Sequence, residues 1–527
     1  MQPAEDDIAS TISVGYRTLL TVIVMTGSFM AILDTTVVDV VIPKMMGPLA
    51  TDLYGIQWVI TAYMTAAAVA LLLTHSLGAV VGLKRLFLIG LAVFTIASTL
   101  CGLAGTLPEM ISARVIQGIG EAFIMASAQT ILFLIYPPEK RGLAMGIYAM
   151  GVSFAPSLGP TVGGWITEHF DWRWVFYINL PTGALNLVAA AFFLPKLPGR
   201  SNKLQFNFRS YLLLGGFTVS LLILLSRGQQ LGWGQSTLIG ILGFCAALLL
   251  LFYLLSELFS EKPLIDVAIF RDRVYGLSMG FYFFVLGLSI YQIFYLLPLY
   301  YENLKHLSTF DTGLHMLAFA IFIAIFSPLA GILSDRFGAQ KVLLAGTLVY
   351  LLTSYFLLPS LNYYTPSVRA ALLTIPLGIS LGSFFAPLSA LALRNLGPYT
   401  ALGVSLMHYL RFVGGSLGTA IATNILEKST AVHYEGISVM QNSIHLHQQL
   451  PQLAAKLGAK LGTDPATLSV KTQLLLSKLQ QLQATSYAFQ DTFRHGFLFA
   501  ALGSSFLLAI FWVLRRQTDK AGDQATG

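Results

Sequence analysis

Asp34, Asp39, Arg114 and Glu121 each sit inside an apolar run long enough to cross a bilayer. A charge near mid-membrane costs at least about 2.5–3.5 kcal/mol on insertion scales, so such residues face a bundle interior or a polar pathway. A buried acid can carry a proton or meet a cation. An arginine keeps its charge at any relevant pH and can only tune a neighbouring acid. Four such groups in the first quarter of the chain point to a polar route rather than a plain anchor. Later in the chain Arg411 lies near the middle of another apolar run, with His408 one turn before it. The run 275–300 carries Tyr282, Tyr291, Phe294 and Tyr295, rings able to hold a flat or cationic apolar molecule.

The elements that position these groups are membrane-spanning helices. The chain has 527 residues, 55% hydrophobic and 10% charged, against roughly 25% charged in a soluble protein. Its net charge of +7 is no nucleic-acid signal, because the basic residues lie in short loops between apolar runs. Cys101 and Cys245 both lie in apolar runs, so no disulfide framework is expected. A window of about 20 apolar residues gives about fourteen spans: 18–42, 57–80, 86–106, 108–134, 143–166, 175–195, 210–227, 236–257, 275–300, 312–334, 341–360, 368–393, 401–426 and 495–514.

Lys and Arg crowd the loops on one side, including Lys84, Arg85, Lys140, Arg141, Lys196 and Arg200. The positive-inside rule therefore places both termini in the cytoplasm of a multi-pass cytoplasmic-membrane protein. The expected organisation is a tail at 1–17, a six-helix bundle at 18–195, a basic linker at 196–209, an inserted two-helix hairpin at 210–257, a second six-helix bundle at 275–514 and a tail at 515–527. Residues 428–494, inside the second bundle, form a long outer segment with leucines at helical spacing.

At about 1.5 Å per residue, Asp34 lies roughly 12 Å and Asp39 roughly 5 Å below the outer surface on the first span. Arg114 lies roughly 9 Å deep on the fourth span and Glu121 roughly 20 Å. Arg114 is thus level with the aspartates, and a pair with Asp34 is expected. Glu121 has no basic residue within a turn of its own helix, which suits a proton carrier. Asp39, near the interface, reads first as a wetted acid.

Gly331, Leu333, Asp335, Arg336, Gly338 and Lys341 form G-x-L-x-D-R-x-G-x-x-K. The glycines permit a tight turn and close helix approach, and the charges can cap helix ends. At the matching place in the first half, HSLGAVVGLKR keeps only Gly82 and a trailing basic residue, a faint internal repeat. GPTVGG contributes Gly159, Pro160, Gly163 and Gly164, where small residues let helices pack and proline permits a bend. WRWVFYINLPTG follows at 172–183.

The first pattern resembles the inner-loop signature of the major facilitator superfamily, and the second the fifth-span motif of its drug exporters. The third is similar to a stretch of the fourteen-span drug:proton antiporters, the EmrB/QacA-like family. LDTTVVDVVIP at 33–43, RVIQGIGEA at 114–122 and GVSLMHYLRFVGGSLGTAI at 403–421 agree. The long segment at 428–494 is closer to the EmrB branch.

The resemblance implies an all-α major facilitator fold of two six-helix bundles plus an inserted hairpin. It implies proton-driven, alternating-access export of amphipathic compounds, with no cofactor beyond the proton gradient. The inner-loop signature and GPTVGG would gate conformational change. Asp34, Arg114 and Arg411 match family positions. For EmrB-type exporters the resemblance also implies a periplasmic adaptor and an outer-membrane duct, with 428–494 as the docking surface.

Departures matter too. Ala79 and Val80 replace an acid and an arginine in the first inner loop, Asp39 stands where Asn is common, and Glu121 stands where a small residue is usual. A narrower cargo, such as a fatty acid, bile salt or siderophore, fits the same fold. An importer fits less well, given GPTVGG. The chain contains no H-E-x-x-H or P-loop pattern, so neither an enzyme nor an ATP motor is expected.

Overall fold

A computed structural model describes residues 12–197, 206–261, 263–441 and 465–526. The amphipathic stretch expected at 448–462 lies outside the described residues. Every expected span falls on a helix, giving α1 (Val14–Met45), α2 (Trp58–Val81), α3 (Leu83–Leu103), α4 (Leu107–Ile135), α5 (Arg141–His169), α6 (Asn179–Phe193), α7 (Phe208–Arg227) and α8 (Thr237–Leu258). Beyond these come α9 (Arg273–Leu304), α10 (Thr309–Phe337), α11 (Ala339–Ser360), α12 (Ser367–Leu393), α13 (Thr400–Gln441) and α14 (Pro465–Thr526).

Among the described residues, 12 of these helices are long and apolar enough to cross a membrane, or 13 counting α5, which bends by 42° where Pro138–Pro156 meets Leu158–His169. Pro160 cannot donate the backbone hydrogen bond that would stiffen this point. The remaining helix, α13, is diluted by glycines, His408 and Arg411.

Local sequence sets the helix ends. Ser13 caps α1 through the Tyr16 N–H. Thr106 and Glu109 form a capping box at the start of α4. Ser308 caps α10 through the Asp311 N–H. The inner-loop repeat is plain in the backbone: Gly82 joins α2 to α3 at φ 85°, and Gly338 joins α10 to α11 at φ 94°. Both conformations favour glycine, which explains why that residue survives where the acid and the arginine before it do not.

In the first half α4 is the central helix, packed on α2 and α3. A side chain at Gly118 would lie 2.4 Å from the Tyr63 carbonyl, and one at Gly120 would lie 2.6 Å from the Phe94 backbone nitrogen. Between the halves, α5 packs along α10 and α2 along α13. The hairpin α7–α8 leans on both through α7. Ser226 hydrogen-bonds Thr61 of α2 at 2.7 Å, and Thr218 hydrogen-bonds Tyr409 of α13 at 2.8 Å.

The described part of the segment 428–494 consists of helix extensions. Residues 428–441 continue α13, and 465–494 begin the 62-residue α14. The two prolongations pack against each other, with the Gln480 side chain donating to the Tyr434 carbonyl at 2.9 Å. The tail after 514 is likewise a continuation of α14, to Thr526.

Candidate functional site

The expected pair is present. Arg114 Nη1 lies 2.7 Å from Asp34 Oδ2, and both side chains are fully buried. Arg114 also donates to Gln117 Oε1 at 2.7 Å and to the Val59 carbonyl at 3.3 Å, and its guanidinium stacks 3.9 Å from the Tyr63 ring centroid. The other oxygen of Asp34 accepts from Asn179 Nδ2 at 2.5 Å, and Asn179 also reaches Ser98 Oγ at 3.0 Å. One charge pair thus ties α1, α2, α3, α4 and α6 together. Asn179 lies in the WRWVFYINLPTG stretch and carried no assigned role in the sequence reading. The signal that finds it is an amide inside an apolar run.

Glu121 is 2% exposed. Its carboxyl hydrogen-bonds the Tyr63 side chain, and its Oε2 has no hydrogen-bond partner. A basic group does face it, from the other half: Arg411 of α13 is the cation that acts on it most strongly. The sequence gives no sign that Arg411 faces Glu121. Arg411 Nε also has no hydrogen-bond partner, and Tyr148, Tyr282 and Tyr291 lie within its electrostatic reach. His408, fully buried, meets the Tyr148 hydroxyl of α5 at 3.3 Å through Nε2, while its Nδ1 has no hydrogen-bond partner. The centre therefore joins α2 and α4 from one half to α13 from the other, with several polar atoms left open. Buried polar atoms are nearly always satisfied, so such a cluster marks a place for protons, water or cargo.

The Asp39 side chain is exposed, with Arg114 and Asp34 within its electrostatic reach. Of the aromatic candidates, Tyr282 is buried near Arg411. Tyr291 covers Gly415, and Phe294 packs on Phe319 with centroids 6.0 Å apart. Tyr295 instead lines a cavity at the end opposite the basic loops.

At the basic end, Asp335 accepts from the Gly142 and Leu143 N–H groups at 2.8 and 2.9 Å, capping α5 from the end of α10. Gly331 meets the Gly142 carbonyl there. Arg336 and Lys341 are exposed, the former lying 5.2 Å from the Phe337 ring centroid. In the first half Lys84 donates to the Ala191 and Leu194 carbonyls and so caps the end of α6. Gly159 and Pro160 are buried in α5, with Gly159 against Thr36 of α1. Gly163 and Gly164 are buried one turn on, with Gly164 beside Phe310 of α10.

The Major Facilitator Superfamily profile matches residues 24–419. The chain is 29% identical over 511 residues to the multidrug export protein EmrB of Haemophilus influenzae, covering 94% of this chain and 96% of that one. It is 30% identical over 449 residues to the fatty acid resistance protein FarB of Neisseria gonorrhoeae, covering 84% and 87%. Among solved structures, the human organic anion transporter MFSD10 superposes with a TM-score of 0.58 at 15% identity, over 92% of this chain and 99% of that one. At that identity the match speaks to the fold alone.

Proposed function

The chain belongs to the Major Facilitator Superfamily, and on that premise we propose that this transporter is an EmrB-like exporter that moves amphipathic compounds outward in exchange for protons. The excess of Lys and Arg in the loops at one end supports a cytoplasmic location for that end and both termini. Two six-helix bundles rock about the central site in alternating access.

The observation that carries the reading is the open Glu121 carboxyl. Its first-half partner, Tyr63, moves with it, while its cationic partner, Arg411, sits on the other half. Rocking changes the separation of Glu121 from Arg411 and hence the free energy of the proton. That satisfies the linkage requirement that the two states bind the proton differently. Asp34 already has Arg114 and Asn179, and its role is to hold the first half together.

Glu121→Gln in inverted membrane vesicles is expected to abolish proton-driven efflux while gradient-free exchange of substrate persists. Proton-driven efflux at the wild-type rate in this variant would remove the coupling assignment. The similarity to FarB favours a second reading of the cargo, a fatty acid. Competition of fatty acids against cationic dyes in the same vesicles separates the two.

The paired prolongations of α13 and α14 support an adaptor surface. Leu474 and Leu475 are 63% and 56% exposed there, beyond the expected end of the span. Adaptor capture that survives deletion of 428–494 would exclude that role.

A further inference from the structure

At the end opposite the basic loops, the outer turns of α9 and the prolongations of α13 and α14 border an open cavity of about 540 Å³. That is the size of sites that hold drug-sized molecules. Three rings line it, one from each helix: Tyr295 of α9, Tyr434 of α13 and Phe489 of α14. Two carboxylates line it as well, Glu427 and Glu435, and among the described residues no Lys, Arg or His lines it. Of the basic side chains on these prolongations, His433 and Arg494 both bind Asp491, at 2.7 and 3.3 Å, while Lys428 and Lys478 are exposed and are not among the lining residues. Glu427 is held in place from the inserted hairpin. The amide of Gln229, just past α7, donates to Glu427, and Asn424 donates to Gln229 at 3.0 Å.

We propose that this cavity is a binding site for aromatic organic cations, separate from the central Glu121 site and lying on the outer side of it. A cation over an aromatic face gains from the ring quadrupole, and a carboxylate in the same cavity adds a charge-assisted contact. An anionic amphipath gains neither and meets two like charges. The floor of the cavity includes Tyr295 and Thr423, which belong to helices that also form the centre. The site thus stands where cargo leaving the centre between α9 and α13 would emerge. The hairpin has a part in it, since Gln229 is a positioning residue for Glu427. The choice of cations for the test rests on the exporter reading, but the binding itself does not.

The test is equilibrium binding of ethidium, a planar aromatic cation, to the full-length protein in nanodiscs without a proton gradient. Photolabelling with its azide derivative then maps the site. Wild-type protein is expected to be labelled within 423–435 of α13 or 481–489 of α14. Glu427→Gln with Glu435→Gln is expected to weaken that component at least tenfold, and Phe489→Ala to do the same. The anionic dye fluorescein should show no component sensitive to these changes. Glu435 is exposed and has no structural partner to lose, so Glu435→Gln alone keeps the test sound if the double variant folds poorly. Unchanged ethidium affinity in Glu435→Gln and Phe489→Ala, or labelling only elsewhere, overturns the proposal. Loss of proton-driven efflux with outer labelling intact would instead count against the exporter reading alone.

Discussion

Asp34 and Arg114 look at first like a proton site, but their geometry fits the scaffold role proposed for Asp34. Both side chains are fully buried and 2.7 Å apart, and the remaining oxygen of Asp34 is taken by Asn179. Removing one partner of a buried ion pair leaves an uncompensated charge and costs about 3–5 kcal/mol, whereas removing both is far milder. Arg114→Met is therefore expected to lower the melting temperature in detergent sharply, and the double variant Arg114→Met with Asp34→Asn to recover much of the loss. Asn179→Ala removes one hydrogen bond to a charged group, worth about 1.5–3 kcal/mol, and should fall between wild type and Arg114→Met. If the double variant melted as low as Arg114→Met alone, the pair would not be the source of the stability.

This residue-scale picture also shows what the chain alone made legible. Charges inside apolar runs stand out, and simple depth arithmetic levelled Arg114 with Asp34. Neutral polar groups do not stand out. Asn179, Tyr63 and Tyr148 were passed over because an amide or phenol in a span costs too little to mark itself. The facing of Glu121 by Arg411 was hidden for another reason: it joins two halves far apart in sequence, and no periodicity within either helix encodes it.

At the scale of elements, α5 and α10 carry the contact between halves. Their glycines bring them together at several levels, from Gly142 against Gly331 at the basic end to Gly313 against Thr161 near the other. Asp335 accepts from the first free N–H groups of α5, where an anion also meets the positive end of the helix dipole, worth about 0.3–1 kcal/mol. The signature, whose charges are expected from sequence to cap helix ends, thus places Asp335 as a cap between two helices. Asp335→Ala should shift the population toward a state open at the basic end by about two- to fivefold, the equilibrium equivalent of that energy. The measurement is maleimide labelling of a single cysteine placed at the buried Ser334 in a background lacking Cys101 and Cys245. Labelling no faster than with Asp335 present would mean that the cap does not hold this end shut. The first half lacks the acid, and Lys84 caps α6 within its own half instead. The gate is therefore asymmetric, and the chemistry of the repeat is legible only as glycine.

At the scale of the whole molecule, the basic end is closed by contacts on both seams between the halves. One seam is α5 with α10, through Asp335. The other is α2 with α13, where Thr74 and Ser405 hydroxyls lie 2.6 Å apart and buried. Rocking toward a state open at that end must part both seams, since neither helix pair can bend away alone while packed through its length. Thr74→Cys with Ser405→Cys, in the background without Cys101 and Cys245, brings two thiols within disulfide reach. Oxidation is expected to lock the end shut and stop efflux, and reductant to restore it. Each single cysteine should transport normally under both conditions. Substrate added from the opposite side should still reach the outer cavity in the locked protein, because that cavity lies beyond the seam. Efflux persisting in fully crosslinked protein would show that these seams do not part during the cycle, and the rocking mechanism would have to be replaced by one confined to the opposite end.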